Sequence, residues 1–160
     1  MTMLTDVADY LLANSMRLAT AESCTAGLVA SMLGDIDGSG DWLECGFITY
    51  SPEAKMQVLG VNPVTIEEYG LSSEDVAREM ALGALRKSGA NVAVANTGVA
   101  GPDDAPDGTK AGTVCFAWAF QDPEGAIQIH SDTHSFAGGR NAVRREAAKF
   151  VISNIRRHCR

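Results

Sequence analysis

Long apolar runs are absent from this 160-residue chain. No stretch approaches the ~18 residues needed to cross a bilayer, which excludes a membrane-spanning helix. The first residues, Met1-Thr2-Met3-Leu4-Thr5-Asp6, carry no basic group, and Asp6 and Asp9 interrupt them, unlike a secretory signal. Paired cysteines are missing too. Cys24, Cys45, Cys115 and Cys159 are scattered with no C-x-x-C, and they read as free thiols of a reducing compartment. A cytoplasmic location is expected. Basic charge is scarce outside the C-terminus. Of 13 basic and 20 acidic side chains (net −7), residues 140–160 hold seven basic and one acidic, or +6, leaving −13 for the rest. Phosphate contacts supply most nucleic-acid affinity, so an acidic body without a basic stripe argues against a nucleic-acid partner.

What is present is ordinary for a folded domain: 46% hydrophobic and 21% charged residues. The length predicts a single domain over 1–160. Leu4, Val7, Ala8, Leu11 and Leu12 follow helical spacing. Arg17 to Glu22 reads as a strand, Ser23 to Gly27 as a small-residue turn, and Leu28, Val29, Met32 and Leu33 as a second helix. Asp35 to Asp41 is loop and Trp42 to Tyr50 a strand. Ser51-Pro52-Glu53 opens a helix that carries Lys55 near its start. Asn62-Pro63 begins another, ending near Gly70. Ser72-Ser73-Glu74-Asp75 resembles a capping box before a helix running to about Ser88. Asn91 to Asn96 is a strand buried on both faces, and Thr97 to Gly112 a long loop of the kind that often carries function. Residues 114–120 and 126–136 form a hairpin, and Val143, Ala147, Phe150, Val151 and Ile155 mark a last helix. Alternating strands and helices predict a three-layer α/β/α sandwich with a mixed, mostly parallel sheet and a late antiparallel hairpin.

Several residues offer chemistry. Ser23 follows a strand and begins a helix. It reads either as an N-cap or as a nucleophile whose neighbouring amides, Cys24 to Gly27, would face an oxyanion. A serine needs a base. His158 lies in the tail. His130, Asp132 and His134 share one strand face, as part of a metal site or as a solvated surface. Lysine is the other option, since serine–lysine pairs occur. Among Lys55, Lys87, Lys110 and Lys149, Lys55 is best placed, just past the strand end at Tyr50. Cys24 is a rival nucleophile or a small buried residue. Asp103, Asp104 and Asp107 read as a solvated acidic loop. Gly138-Gly139-Arg140, with Arg144 one turn on, is either a phosphate site or a solvent-facing helix start.

Taken in order, the motifs resemble the CinA C-terminal domain family. Thr20-Ala21-Glu22-Ser23-Cys24-Thr25-Ala26-Gly27 is similar to that family's T-A-E-S-C-T-G-G motif. Gly46-Phe47-Ile48-Thr49-Tyr50-Ser51 with Glu53-Ala54-Lys55, Thr97-Gly98-Val99-Ala100-Gly101-Pro102, Gly112-Thr113-Val114, and Phe136-Ala137-Gly138-Gly139-Arg140 with Val143-Arg144 extend the match. Ala26, Asn96-Thr97, Ala111 and Gly139 depart from the family pattern. The resemblance implies a three-layer α/β/α fold. Family members include deamidases of nicotinamide mononucleotide (NMN), which release ammonia and nicotinate mononucleotide. It implies that Ser23 is the nucleophile and Lys55 its base, with Tyr50 nearby. It places the ligand among Cys24, Thr25 and Gly27 of the nucleophile turn, Ser39 of the Gly38–Gly40 loop, Thr97, Gly98 and Gly101, and Arg140 or Arg145. The pyrophosphatase activity of the extra domain in larger members is not expected here.

The expectation is therefore an amidohydrolase acting on NMN, a small-molecule nucleotide, with no cofactor and no metal. Glu22, Tyr50 and Arg140 would receive the cationic ring and the phosphate. The alternative is a non-catalytic nucleotide-binding or regulatory module on the same fold. Self-association is expected, as a dimer.

Overall fold

The computed structural model describes residues 2–160. Five strands form one sheet in the order β2-β1-β3-β4-β5. They are β1 (Leu18–Glu22), β2 (Leu43–Ile48), β3 (Val92–Gly98), β4 (Thr113–Gln121) and β5 (Ile127–Ser135). β1 is parallel to both β2 and β3, whereas β3–β4 and β4–β5 are antiparallel. β4 alone runs against the other four. This is the mixed sheet predicted above.

Side-chain alternation explains the layers. One sheet face carries Leu18, Val92, Val94, Val114, Phe116 and Trp118, all buried. Against it pack α1 (Met3–Ala13), α2 (Leu28–Gly34), α6 (Arg140–Ser153) and α7 (Ile155–His158). The other face is nearly all small: Ala19, Ala21, Ala93, Ala95, Cys115, Ala117 and Ala119. Small side chains let a helix approach closely, and α5 (Glu74–Lys87) lies there on Val76, Met80, Ala81 and Ala84. α3 (Pro52–Leu59) and α4 (Pro63–Tyr69) cover its far side. Gly83 is where α3 meets α5. A Cβ there would run into the Leu59 carbonyl, so the helix that carries Lys55 docks against bare backbone.

Three local differences from the sequence reading have plain causes. Ser73, not Ser72, caps α5, its hydroxyl accepting from the Val76 amide at 3.2 Å. Val76 then occupies the third helical position, so the reciprocal half of a capping box is missing. The 35–41 loop contains a single 3₁₀ turn, Ser39–Asp41. The last helix breaks at Asn154 into α6 and α7.

The chain leaves β1 through α2 to reach β2 on one side, and returns through α3–α5 to β3 on the other. Connections that diverge in this way open a crevice outside the carboxyl ends of the strands. The ends of β1, β2 and β3 therefore deliver Ser23, Tyr50 and the Val99–Gly112 loop to one place. Among the described residues no helix is long and apolar enough to cross a membrane.

Candidate active site

A cleft of about 510 Å³ opens at that crevice. Ser23, Cys24, Tyr50, Lys55, Thr97, Gly98, Gly101 and Arg140 line it, together with Asp103 and Asp107. At its floor Lys55 Nζ donates to Ser23 Oγ at 2.8 Å. The same nitrogen donates to the carbonyls of Thr49 at 2.8 Å and Tyr50 at 3.1 Å. Lys55 is only 2% exposed and has no carboxylate partner among the described residues. Burial without an opposite charge disfavours the ammonium, and it pulls the Lys55 pKa down to about 8. Local sequence places this lysine. The Ser51 hydroxyl caps α3 by accepting from the Ala54 amide at 3.0 Å, Pro52 occupies a first-turn position, and Gly60 ends the helix in the left-handed region at φ 72°.

The turn that carries Ser23 differs from its sequence reading. Ser23 is not the helix cap. α2 starts at Leu28 with Gly27 as its cap, five residues beyond β1. No side chain of the cap serves the helix start. Glu22, at 0% exposure, does so instead. Its Oε1 accepts from the amides of Gly27 at 3.1 Å and Val29 at 2.9 Å, and from the Thr25 hydroxyl at 2.7 Å. Its Oε2 accepts from the Ala30 amide and the Thr20 hydroxyl, both at 3.1 Å. Glu22 is thus a buried strut beneath the Ser23 turn and is not free to meet a cationic ring. The expectation that four amides face the cleft also narrows. Gly27 N–H goes to Glu22, and Ala26 N–H to the Ser23 carbonyl at 3.0 Å. Among the described residues the amides of Cys24 and Thr25 have no such partner.

Asn96, named from sequence only as a strand end and, with Thr97, as a departure from the family pattern, has no ligand role assigned there. It is 1% exposed at the end of β3, its Nδ2 donates to Thr25 Oγ1 at 2.8 Å, and its Oδ1 lies 3.4 Å from the Ser23 amide. The available signal was an amide inside an otherwise apolar stretch, beside Thr97. Asp103, Asp104 and Asp107 are exposed, as expected of a solvated loop, and Asp103 and Asp107 also line the cleft. Asp104 and Asp107 also fasten that loop, accepting from the amides of Ala111 at 2.8 Å and Thr109 at 2.9 Å. The Ala111 amide holds the Asp104 carboxyl below its usual range, and the Thr109 hydroxyl and then its amide do the same for Asp107.

Not every expected ligand contact reaches the cleft. Thr25 is fully buried in the Glu22–Asn96 network, and Gly27 supplies the cap. Ser39 sits in its 3₁₀ turn, and Arg145 on the exposed side of α6, neither among the cleft residues. Arg140 does reach it, donating to the Gly101 carbonyl at 2.6 Å and to the Tyr50 hydroxyl at 2.8 Å. Arg144 donates instead to the carbonyls of Cys24 and Thr25, at 3.0 and 3.1 Å. Thr97 turns its hydroxyl to the Leu71 carbonyl at 2.9 Å. Gly98 is obligatory for packing, since a Cβ would strike the backbone of Thr113 and Val114. Burial pushes the Cys24 thiol up to about 11, against the pull of Lys55, Arg144 and Arg140. A thiol held protonated at neutral pH is a poor nucleophile. His130 stacks on His158, and His134 packs on Phe136 and Phe150. Among the described residues no three metal-binding side chains converge.

The fold and the cleft define a class: a three-layer α/β/α domain whose parallel strands present a serine bonded to a buried lysine. The chain belongs to the CinA C-terminal domain family, whose sequence model matches residues 1–159. It is 43% identical over 149 residues to the nicotinamide-nucleotide amidohydrolase PncC of Escherichia coli K12, covering 93% of this chain and 88% of that protein. It is 45% identical over 134 residues to a CinA-like protein of Chlorobium limicola, covering 84% of this chain but spanning only 31% of that longer protein. Its fold superimposes on the crystal structure of a CinA superfamily protein from Escherichia coli with a TM-score of 0.90 at 37% identity, covering 96% of this chain and 86% of the other. For the competence damage-inducible protein A of Klebsiella pneumoniae the TM-score is 0.91 at 36% identity, covering 99% and 97%.

Proposed function

We propose that the protein is a nicotinamide-nucleotide amidohydrolase that converts the carboxamide of NMN to a carboxylate and ammonia through Ser23 and Lys55. The observation that carries this reading is the 2.8 Å contact between Ser23 Oγ and the buried Lys55 nitrogen at the cleft floor. A neutral lysine amine has two hydrogens and one lone pair. The carbonyls of Thr49 and Tyr50 take the two hydrogens, and the lone pair is left for the Ser23 hydroxyl. Ser23 Oγ attacks the carboxamide carbon as its proton passes to Lys55. The oxyanion is received by the amide of Cys24, the one cleft-lining residue of the turn besides Ser23. Lys55 then protonates the departing nitrogen, ammonia leaves, and water activated by the neutral amine cleaves the ester on Ser23. The charges of the cleft suit such a ligand. Arg140 beside Tyr50 attracts the phosphate, and Asp103 and Asp107 favour the positively charged ring. The likeness to PncC along nearly the whole chain supports the same substrate.

Ammonia release from NMN tests the reading. Wild type turns over with or without chelator, Ser23→Ala and Lys55→Ala do not, and Cys24→Ala retains activity. Absence of release by folded wild type refutes it. Loss in Cys24→Ala with activity kept in Ser23→Ala moves the nucleophile to the cysteine.

A further inference from the structure

β1 ends at Glu22, yet the peptide that follows is still held from both neighbouring strands. The Glu22 carbonyl accepts from the Thr49 amide, just past β2, at 2.9 Å. The N–H of the same peptide, that of Ser23, points the opposite way, as a planar trans peptide requires. It meets Asn96 of β3, whose Oδ1 lies 3.4 Å away. A side chain thus carries the β1–β3 pairing one residue past its last register pair, Glu22 with Asn96. Alternation puts Asn96 on the face of Val92 and Val94, beside Glu22. The network also fixes which way its amide faces. Only an oxygen can accept from the Ser23 N–H. The Thr25 hydroxyl gives its proton to Glu22 Oε1 at 2.7 Å, so it accepts from Asn96 Nδ2 at 2.8 Å and stands 3.1 Å from Oδ1. Oδ1 accepts from the Cys24 thiol as well, at 3.6 Å. The Glu22–Ser23 peptide plane includes the Ser23 Cα. Fixing both ends of that plane therefore fixes the point from which the Ser23 side chain projects. Lys55 is tied to the same reference, because its Nζ donates to the Thr49 carbonyl at 2.8 Å. Thr49 secures Ser23 and Lys55 from the β2 side, and Asn96 secures Ser23 from β3.

We propose that Asn96 is a positioning residue: it holds the Ser23 N–H from β3 and so keeps Ser23 Oγ within bonding distance of Lys55. The inference rests on Ser23 being the nucleophile, and it does not depend on NMN being the substrate. Asn96 is not a cleft-lining residue and touches neither substrate nor reacting atoms. It acts through the backbone on Ser23, whose side chain does line the cleft. With leucine in its place the Ser23 N–H would be buried without that acceptor, and the peptide would turn toward another.

A fluorophosphonate probe tests this without the natural substrate. Ser23 Oγ forms a bond to phosphorus, fluoride leaves, and the serine proton goes to Lys55. Labelling rates of Ser23 are read by mass spectrometry across pH for wild type, Asn96→Leu and Asn96→Asp. A displacement of about 1 Å at a reacting group costs roughly 10²-fold, so Asn96→Leu should label roughly 10–100-fold more slowly. The pH midpoint set by the burial of Lys55 should not move. Asn96→Asp keeps an acceptor for the Ser23 N–H and should recover most of the rate. That comparison is made on the plateau above the midpoint, where an added charge near Lys55 no longer changes its protonation. A residue that only stabilised the fold would lower the urea midpoint and leave the folded protein labelling at the wild-type rate. With NMN, kcat of Asn96→Leu should drop in the same ratio as labelling while KM holds. Wild-type labelling rates in folded Asn96→Leu overturn the proposal. So does a rate loss that travels with a shifted pH midpoint, or an Asn96→Asp that labels as slowly as Asn96→Leu. If Asn96→Leu unfolds, Asn96→Ala decides, and a wild-type rate there overturns it. A wild type that labels but releases no ammonia from NMN removes only the substrate reading. A wild type whose Ser23 is never labelled removes both.

Discussion

The buried Lys55 makes stability depend on pH in a way that one variant isolates. In the unfolded chain this lysine has the ordinary value of 10.5, and in the folded protein burial lowers it to about 8. Below pH 8 it is protonated in both states, and folding carries the whole penalty of burying the ammonium. Between about 8 and 10.5 the folded state binds fewer protons than the unfolded one, so stability rises with pH. Above 10.5 the amine is neutral in both and the penalty is gone. With these two values the penalty is about 3 kcal/mol at pH 7 and about 1 kcal/mol at pH 10, a difference of about 2 kcal/mol.

Lys55→Met removes the titrating group and keeps an unbranched chain of similar length. It also removes donors from Ser23, Thr49 and Tyr50. The sign of the stability change at any single pH is therefore a contest between a relieved charge and orphaned acceptors. The pH dependence of the difference escapes that contest, because the lost hydrogen bonds are common to both pH values. Urea unfolding of wild type and Lys55→Met at pH 7 and pH 10 should show wild type gaining about 2 kcal/mol on the variant. Cys24 and Cys159 titrate in both proteins and largely cancel. A pH-independent difference would mean that Lys55 titrates alike in both states, and the geometric basis for its role as a base would fall. The same value predicts activity. Roughly one lysine in ten is neutral at pH 7, against about one in 3,000 for an unperturbed lysine. Ammonia release should therefore climb about tenfold per unit up to pH 8 and then level. A flat profile from pH 6 to 9 contradicts this.

Other substitutions probe the supports of the site. Ala26 holds φ at 49°, a left-handed conformation that strains an L residue. Ala26→Gly should stabilise by about 0.5–1 kcal/mol after its extra chain entropy is counted, read as a higher thermal midpoint with turnover retained, and a lower midpoint would refute the strain. Glu22→Gln puts a carboxamide NH₂ where Oε1 or Oε2 accepts from Gly27, Val29, Ala30, Thr20 and Thr25. Donor then meets donor, and the loss should be about 1–3 kcal/mol for each group left unpaired, with slower turnover; denaturant midpoints equal to wild type would exclude the strut role. Gly83→Ala gains about 1 kcal/mol in an isolated helix, yet it collides with the Leu59 carbonyl. A net loss of about 1–3 kcal/mol in urea is expected, and a stabilised variant would show that α3 does not dock there.

The fold was largely legible because its information is periodic. Alternation in β3 and β4, and the Val76–Met80–Ala84 stripe of α5, each specify a face without reference to partners. The site was legible only where a residue's role follows from its type and its neighbours in sequence. Ser23 after a strand and Lys55 behind Ser51-Pro52 are of that kind. Arg144 and Arg145 are not, for nothing in their type separates them. One helical step of about 100° sends Arg144 onto the Cys24 and Thr25 carbonyls and leaves Arg145 outside. Glu22 misleads for a related reason. An acidic residue beside a nucleophile suggests ligand binding, but alternation along β1 turns it under the turn. There the unpaired amides of a helix that begins only at Leu28 require an acceptor. The late start of α2 is the hidden variable. It detaches the Cys24 and Thr25 amides from the helix ladder, and only an arrangement of supports from β1, β3 and α6 can then fix where those amides point.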